Sequence, residues 1–489
     1  MPKPFKITYS TLGANLEVFH RQYDKAVAAA RKHLGETYPH LINNRPIRGR
    51  GEVFASTNPA DTREVLANFR QATEEEMHAA VEAARQAFPI WSAMDYRQRV
   101  KILRQASALI RKNKFELAAI MSLEAGKNRF EAMGDVEESA DLIDYYCQQI
   151  MEAKGFSMPL GKLSPHEDTR SVLRPYGVWA VIAPFNFPLA LSTGMSAGAL
   201  VAGNTVVFKP SKDTPWIGYR LAEIYHKAGL PAGAFNFIAG DRRIGEELVK
   251  HPKLDGIVFT GSKQVGMHIF HEFSQNLIRP TIIEMGGKNP AIVMPSADLD
   301  LAAEGVMRSA FGLQGQKCSA CSRVYVHNKV KDKFMDLLLQ KTAKITIGDP
   351  SQRDIFLGPV INQNAYEKFA WAVSEAQKDG GELLTGGKQL KNDGFTHGYF
   401  VEPTIVDGLP KHHRFFYDEL FLPFLTVASV DSLEEAIALS NKAEYGLTAG
   451  IYSKNQKELD YFFDHIEAGV TYANRRSGAT TGAWPGVNS

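Results

Sequence analysis

The chain has 489 residues, of which 44% are hydrophobic and 22% charged, with a formal net charge of +2. That length suits two or three domains, and the apolar content suffices to bury their cores. A near-neutral balance gives no case for a nucleic-acid groove or an anionic membrane; no stretch is apolar enough to span a bilayer, and MPKPFKITYS lacks a signal-peptide core.

In chain order, LEVFHRQYDKAVAAARKHLG reads as a helix ending at Gly35, followed by short strands around an Asn43-Asn44 turn. Thr73 and Glu76 form a capping box before a helix with Met77, Ala80, Ala84 and Phe88 on its apolar side. A second, longer helix from about Tyr96 places Val100, Leu103, Ser107, Ile110, Phe115 and Ala118 near a 3.6 period. Asn113 and Lys114 interrupt it only weakly, and Gly126 stops it. A third helix covers VEESADLIDYYCQQIMEA, with most of its acidic residues expected on solvated faces. Residues 153–174 follow neither helical nor strand pattern.

From Val178 the pattern changes to short, unalternated apolar runs: VWAVIAP, TVVFKP, AFNFIAG and GIVFTG. These fit buried parallel strands of a doubly wound α/β sheet. Thr214 at the cap and Pro215 at the first helical position open a crossover helix that ends near Gly229. After Ala291 the alternation resumes through PAIVMP, LAAEGVMRSAFG, SRVYVH, VKDKFMDLLLQKTAKI, VEPTIV, FLTVASV and SLEEAIALSNK, predicting a second α/β domain from near Met285.

Two places read as chemistry. Glu284 closes an apolar run ahead of Gly286-Gly287-Lys288, and Cys318 follows Gly315-Gln316-Lys317. A thiol and a carboxylate embedded in glycine suit covalent attack on a carbonyl followed by base-assisted hydrolysis. A cysteine in an apolar run is often an inert small hydrophobe, but polar neighbours argue against that for Cys318. Lys317 favours a thiolate only if its side chain turns to the thiol, and adjacent side chains usually diverge. With Cys147 and Cys321 there are three cysteines, too few for a disulfide framework and unlike a paired zinc motif, which indicates a cytoplasmic chain. Phe259-Thr260-Gly261-Ser262 with Gly266 offers a strand, a tight turn and a helix N-terminus to a pyrophosphate, although such loops also cap helices without a ligand.

Together, TIIEMGGKNP and FGLQGQKCSACSR resemble the glutamate and cysteine signatures of the NAD(P)-dependent aldehyde dehydrogenase superfamily. GLQGQKCSACSR is most similar to the branch that oxidises glutamate γ-semialdehyde, and further matches run from about Tyr38 to Asn474. The resemblance implies an α/β fold with a Rossmann-like NAD(P) domain over residues 1–152 and 175–284, including an N-terminal arm. It implies a catalytic domain over 285–474, a small β oligomerisation element at 153–174 and an anchor loop within 475–489.

By the same resemblance, Cys318 is the nucleophile, Glu284 the general base, and Asn186 in APFNFP the oxyanion donor, with Phe185 in place of the usual Trp. Lys209, Gly261, Ser262 and Gly266 would hold the adenosine and pyrophosphate, and Glu419 and Phe421 the nicotinamide end, with Leu422 replacing a small residue. Lys212 stands where many members carry an acid, which shifts the expectation towards NADP alongside NAD. Glu137, Phe187, Ser319, Gly478 and Ala479 would line the substrate pocket. No PFGG…SG segment precedes Ser489, which leaves one tunnel aromatic unassigned. The implied activity is oxidation of L-glutamate γ-semialdehyde, in equilibrium with 1-pyrroline-5-carboxylate, to L-glutamate, with a broader aldehyde specificity as the alternative. A non-catalytic structural member fits poorly with an intact Cys318 and Glu284. The resemblance implies self-association to a dimer or more, and no metal, nucleic acid or membrane is called for.

Overall fold

The unalternated apolar runs become the centre of a seven-stranded sheet in the computed structural model, which describes residues 16–392 and 394–475. Its order is Thr281–Met285, Gly256–Gly261, Val178–Ile182, Thr205–Lys209, Phe235–Phe237, His40–Ile42, Arg45–Ile47. The first five strands are parallel, and the last two form an antiparallel edge. Every residue of Val178–Ile182, Thr205–Lys209 and Phe235–Phe237 is buried, because helices cover both faces. Asn43 and Asn44 turn the edge hairpin at φ 55° and 57°, the mirror-image turn that matches strand twist.

Strand order reverses beside Val178–Ile182, the chain running to one side through Thr205–Lys209 and later to the other through Gly256–Gly261. Such a switch opens a crevice beyond the carboxyl ends of the strands, where α/β sheets bind ligands. A second seven-stranded sheet has the order Glu382–Thr385, Thr404–Asp407, Phe424–Val430, Cys321–His327, Asn289–Val293, Thr448–Tyr452, Val470–Ala473. All its neighbours are parallel except the first pair. A smaller sheet joins Glu36–Thr37, Asp61–Arg70 and Val53–Asn58. Within 153–174, Ser157–Pro159 pairs antiparallel with Arg170–Val172, leaving Met158, Leu163 and Leu173 exposed.

Three local expectations change. The long helix from Tyr96 is two helices, Tyr96–Lys112 and Lys114–Ala125, because Asn113 leaves helical geometry (φ −98°, ψ 16°). The helix Arg129–Glu152 is not a solvated acidic rod: Asp135, Glu137 and Asp141 are buried, and each has a cation beside it. Thr214 sits at the start of the helix Pro215–Lys227 but makes no capping bond. Instead the fully buried Glu124 accepts from Trp216 N (2.8 Å), Ile217 N (3.0 Å) and Ser56 Oγ (2.8 Å). A carboxylate from a distant helix thus satisfies the orphan amides of the first turn.

Glu124→Ala would leave three buried donors unpaired, and we expect it to destabilise the protein by roughly 3 kcal/mol, read as a lower thermal midpoint by circular dichroism. Thr214→Val removes a hydroxyl that has no partner among the described residues and should cost less than about 0.5 kcal/mol.

Candidate active site

The candidate nucleophile is carried on a turn that ordinary side chains avoid. Leu313, Gln314 and Gly315 all have positive φ, at 49°, 56° and 65°. The turn is fixed from several sides. Leu313 N donates to Glu131 Oε1 (2.7 Å), Gln314 Nε2 to Gly126 O (3.2 Å), and Ile361 N to Gln316 Oε1 (3.0 Å). A Cβ on Gly315 would collide with the Leu422 carbonyl, so glycine is required there for space as well as for φ. Beyond the turn, Asn289 Nδ2 donates to the carbonyls of Cys318 (2.6 Å) and Ala320 (2.9 Å), while its Oδ1 accepts from Thr448 N (3.0 Å).

Cys318 is partly exposed, whereas Cys147 and Cys321 are buried. Cys147 lies in a helix-packed core, and Cys321 begins the strand Cys321–His327. Around the Cys318 thiol, burial and the carboxylates of Glu284 and Glu419 push its pKa well above the ordinary range, and the backbone amides of Ser319 and Cys318 oppose this. Glu284 is raised to about 7, by burial first and the Glu419 charge second, and its Oε1 has no hydrogen-bond partner among the described residues. A carboxyl poised near neutrality, adjacent to a thiol, suits general-base work. Glu419 is held by Gly287 N (2.8 Å), and a Cβ on Gly286 would strike its carboxylate. The Lys317 ammonium and Glu131 Oε1 both lie close to Gly312, and Glu131 acts on that ammonium more strongly than Cys318 does.

Asn186 is buried beside the same turn, and its Nδ2 donates to Gln316 O at 2.9 Å, leaving a second N–H on that amide. Lys127, itself fully buried, donates to Asn186 O (2.8 Å), pairs with Asp135 (2.7 Å) and lies 3.9 Å from the centre of the Phe187 ring. Ser319 is buried directly after the nucleophile. Glu137 is a correction. It faces Lys114 (3.1 Å) and Arg111 (3.8 Å), on the helix side shared with Asp141 and Asp144, not the side of Asp135. The carboxyl that does sit with Asp135 and Lys127 is Glu138, raised to about 7 by burial and by Asp135. Gly478 and Ala479 lie outside the described residues.

Of the cofactor candidates, Lys209, Gly261 and Ser262 lie at the carboxyl ends of strands of the first sheet, on either side of its switch point. Lys209 ends the strand Thr205–Lys209; burial lowers its ammonium to about 8, against the pull of Asp241 and Asp213, and it donates to Pro210 O (3.1 Å). Lys212 is exposed nearby. Gly261 ends the strand Gly256–Gly261, and Ser262 caps the helix Lys263–Phe273 with its hydroxyl, towards Val265 N (3.4 Å). Gly266 permits a close approach, but of the neighbouring strand: a Cβ there would lie 2.7 Å from Met285 and 2.8 Å from Ile283. Phe421 takes φ 60° and meets Phe185 edge-on at 5.8 Å, while Leu422 is buried in the second core. An exposed helix N-terminus at a switch point, with a buried lysine on one side and carboxylates on the other, fits a dinucleotide. Among the described residues no group of His, Cys, Asp and Glu could hold a metal ion, and no helix is long and apolar enough to cross a membrane.

Residues 47–488 match the aldehyde dehydrogenase family. The chain belongs to that family. The 1-pyrroline-5-carboxylate dehydrogenase of Staphylococcus aureus (strain MW2) is 37% identical over 459 residues, covering 93% of this chain and 88% of that protein. A crystal structure of 1-pyrroline-5-carboxylate dehydrogenase from Thermus with bound NAD superposes with a TM-score of 0.91 at 35% identity, covering 99% of this chain and 93% of the other. Proline utilization A from Bdellovibrio bacteriovorus, inactivated by N-propargylglycine, gives a TM-score of 0.91 at 34% identity; it covers 95% of this chain, which spans 48% of that longer protein. This aldehyde dehydrogenase has the family's architecture of a Rossmann-like NAD(P) domain, a catalytic α/β domain and a small β element. It is an NAD(P)-dependent enzyme that oxidises an aldehyde through a cysteine.

Sequence reasoning missed the groups behind the site: Lys127, Glu131, Asp135, Glu138 and Asn289. The only signal was their proximity in the chain to the motif residues. Because neighbouring anions disfavour the thiolate, Glu284→Gln should shift the pH profile of Cys318 alkylation to lower pH. Peptide mapping after brief iodoacetamide treatment should find label on Cys318 and little on buried Cys147 or Cys321.

Proposed function

We propose that this aldehyde dehydrogenase oxidises L-glutamate γ-semialdehyde to L-glutamate by nucleophilic catalysis at Cys318. The reading rests on one observation above others: the partly exposed Cys318 lies beside the Glu284 carboxyl, and the Asn186 amide donates to Gln316 O two residues before that thiol. The Cys318 thiolate adds to the aldehyde carbon, its proton going to Glu284. Asn186's spare N–H and the Cys318 backbone amide receive the oxyanion, each such donor being worth on the order of 3 kcal/mol in the transition state. Bound NAD(P)+ supplies the hydride acceptor, which leaves a thioester on Cys318. Glu284 then takes a proton from water as its oxygen adds to the thioester carbon, and the Cys318 sulfur departs as the acid forms. Neutral Glu284 must lose its first proton between the two halves, which a pKa of about 7 permits.

The relatives named 1-pyrroline-5-carboxylate dehydrogenase support this substrate, as do Ser319 beside the nucleophile and Phe187 above the buried Lys127. Ser319 donates to the substrate α-carboxylate together with Gly478 and Ala479, and Phe187 packs on the methylenes. Lys209 and Ser262 hold the adenosine ribose and pyrophosphate, Glu419 the nicotinamide ribose, and exposed Lys212 tolerates a 2′-phosphate. On this reading residues 1–152 and 175–284 bind the cofactor, 285–474 carry the nucleophile, and the hairpin in 153–174 joins subunits through its exposed Leu163 and Leu173.

A kinetic panel tests the substrate, with reduced cofactor followed by absorbance. Glutamate semialdehyde should exceed an uncharged aldehyde of similar length at least tenfold in kcat/KM, and Ser319→Ala should shrink that margin. Equal turnover of both would leave only the broader specificity. For the cofactor, Lys212→Glu should lower kcat/KM for NADP+ several-fold while sparing NAD+; an unchanged ratio would reject a role for Lys212.

A further inference from the structure

Behind the site lies a buried ionic cluster that the proposed chemistry does not use. Lys127 and Asp135 are both fully buried, their charged atoms 2.7 Å apart. A buried ion pair of this kind is weak evidence for stability, since packed apolar residues often do as well. What apolar residues could not do is make its other bonds. Lys127 Nζ donates to the carbonyl of Asn186 (2.8 Å), and Asp135 Oδ1 accepts from Ala190 N (2.6 Å). The pair therefore holds both ends of the segment from Asn186 to Ala190. One helical turn before Asp135, Glu131 accepts from Leu313 N (2.7 Å), at the first left-handed residue of the nucleophile turn. The Asn186 amide then meets that turn directly, at Gln316 O (2.9 Å).

We propose that Lys127, just before the helix Arg129–Glu152, and Glu131 and Asp135 in its first two turns act as a positioning bracket that sets the separation between the Asn186 amide and the Cys318 turn. None of the three touches the reacting atoms. The proposal rests on the assignment of Asn186 as oxyanion donor. A misplacement of about 1 Å in such a site costs on the order of a hundredfold in rate, so the bracket governs the step in which negative charge appears on oxygen. It leaves thiol alkylation unaffected, because that reaction develops no oxyanion.

The test compares Lys127→Met, Lys127→Arg and Glu131→Leu with the parent enzyme in three measurements: kcat, the rate of Cys318 alkylation by iodoacetamide, and the dissociation constant of NAD+. For Lys127→Met we expect kcat to fall ~10–100-fold, with alkylation and cofactor binding within about twofold, and Lys127→Arg to recover part of the loss. In an Asn186→Ala background, Lys127→Met should cost less than about twofold more, since the group it positions is gone. Full additivity with Asn186→Ala, or alkylation falling in step with kcat, would overturn the bracket. An Asn186→Ala enzyme with undiminished kcat would instead refute the oxyanion assignment, a distinct result. If Lys127→Met does not fold, Glu131→Leu carries the same comparison from the other loop, and loss there of alkylation together with kcat rejects the proposal.

Discussion

The site depends on a run of backbone that is costly to hold. Two of the three successive positive-φ residues, Leu313 and Gln314, have side chains, and each such residue costs on the order of 1 kcal/mol or more. The run persists because its polar groups are met from scattered parts of the chain: Glu131, Gly126, Ile361 and Asn186. Helices, loops and both large sheets therefore converge on one turn. The turn leads directly to Cys318, which lies beside Glu284 near the end of the edge strand Thr281–Met285 of the other sheet.

Burial tunes the groups that gather there. It raises Glu284 to about 7 and lowers Lys209 to about 8, bringing an acid and a base towards neutrality from opposite directions. The same low-polarity setting makes every unmet polar atom expensive, which accounts for the density of hydrogen bonds around Asn289 and Glu131. Lys288 stands out as a fully buried ammonium with no hydrogen-bond partner among the described residues, lowered to about 7 by burial and by Arg323.

Much of the architecture was legible in the sequence because parallel strands buried on both faces leave a plain signature, as VWAVI and TVVFK do. The capping box at Thr73 and Glu76 was equally local and is present. What escaped was everything that needs a partner far along the chain. EESADLID looks like a solvated face because hydropathy cannot distinguish a charge in water from one paired in a core; Arg111 and Lys114 make the difference for Glu137 and Asp141. Thr214 had the right residue type for a cap, yet the bonds went to Glu124, roughly ninety positions earlier, which no window scan would join to it. The motif residues could be found individually, but not the lysine that holds the Asn186 carbonyl.

The carboxylates beside Cys318 bear on how the thiol meets oxidants as well as aldehydes. Peroxide attacks the thiolate and leaves the neutral thiol largely alone, so the charges of Glu284 and Glu419, which oppose ionisation of Cys318, oppose its oxidation as well.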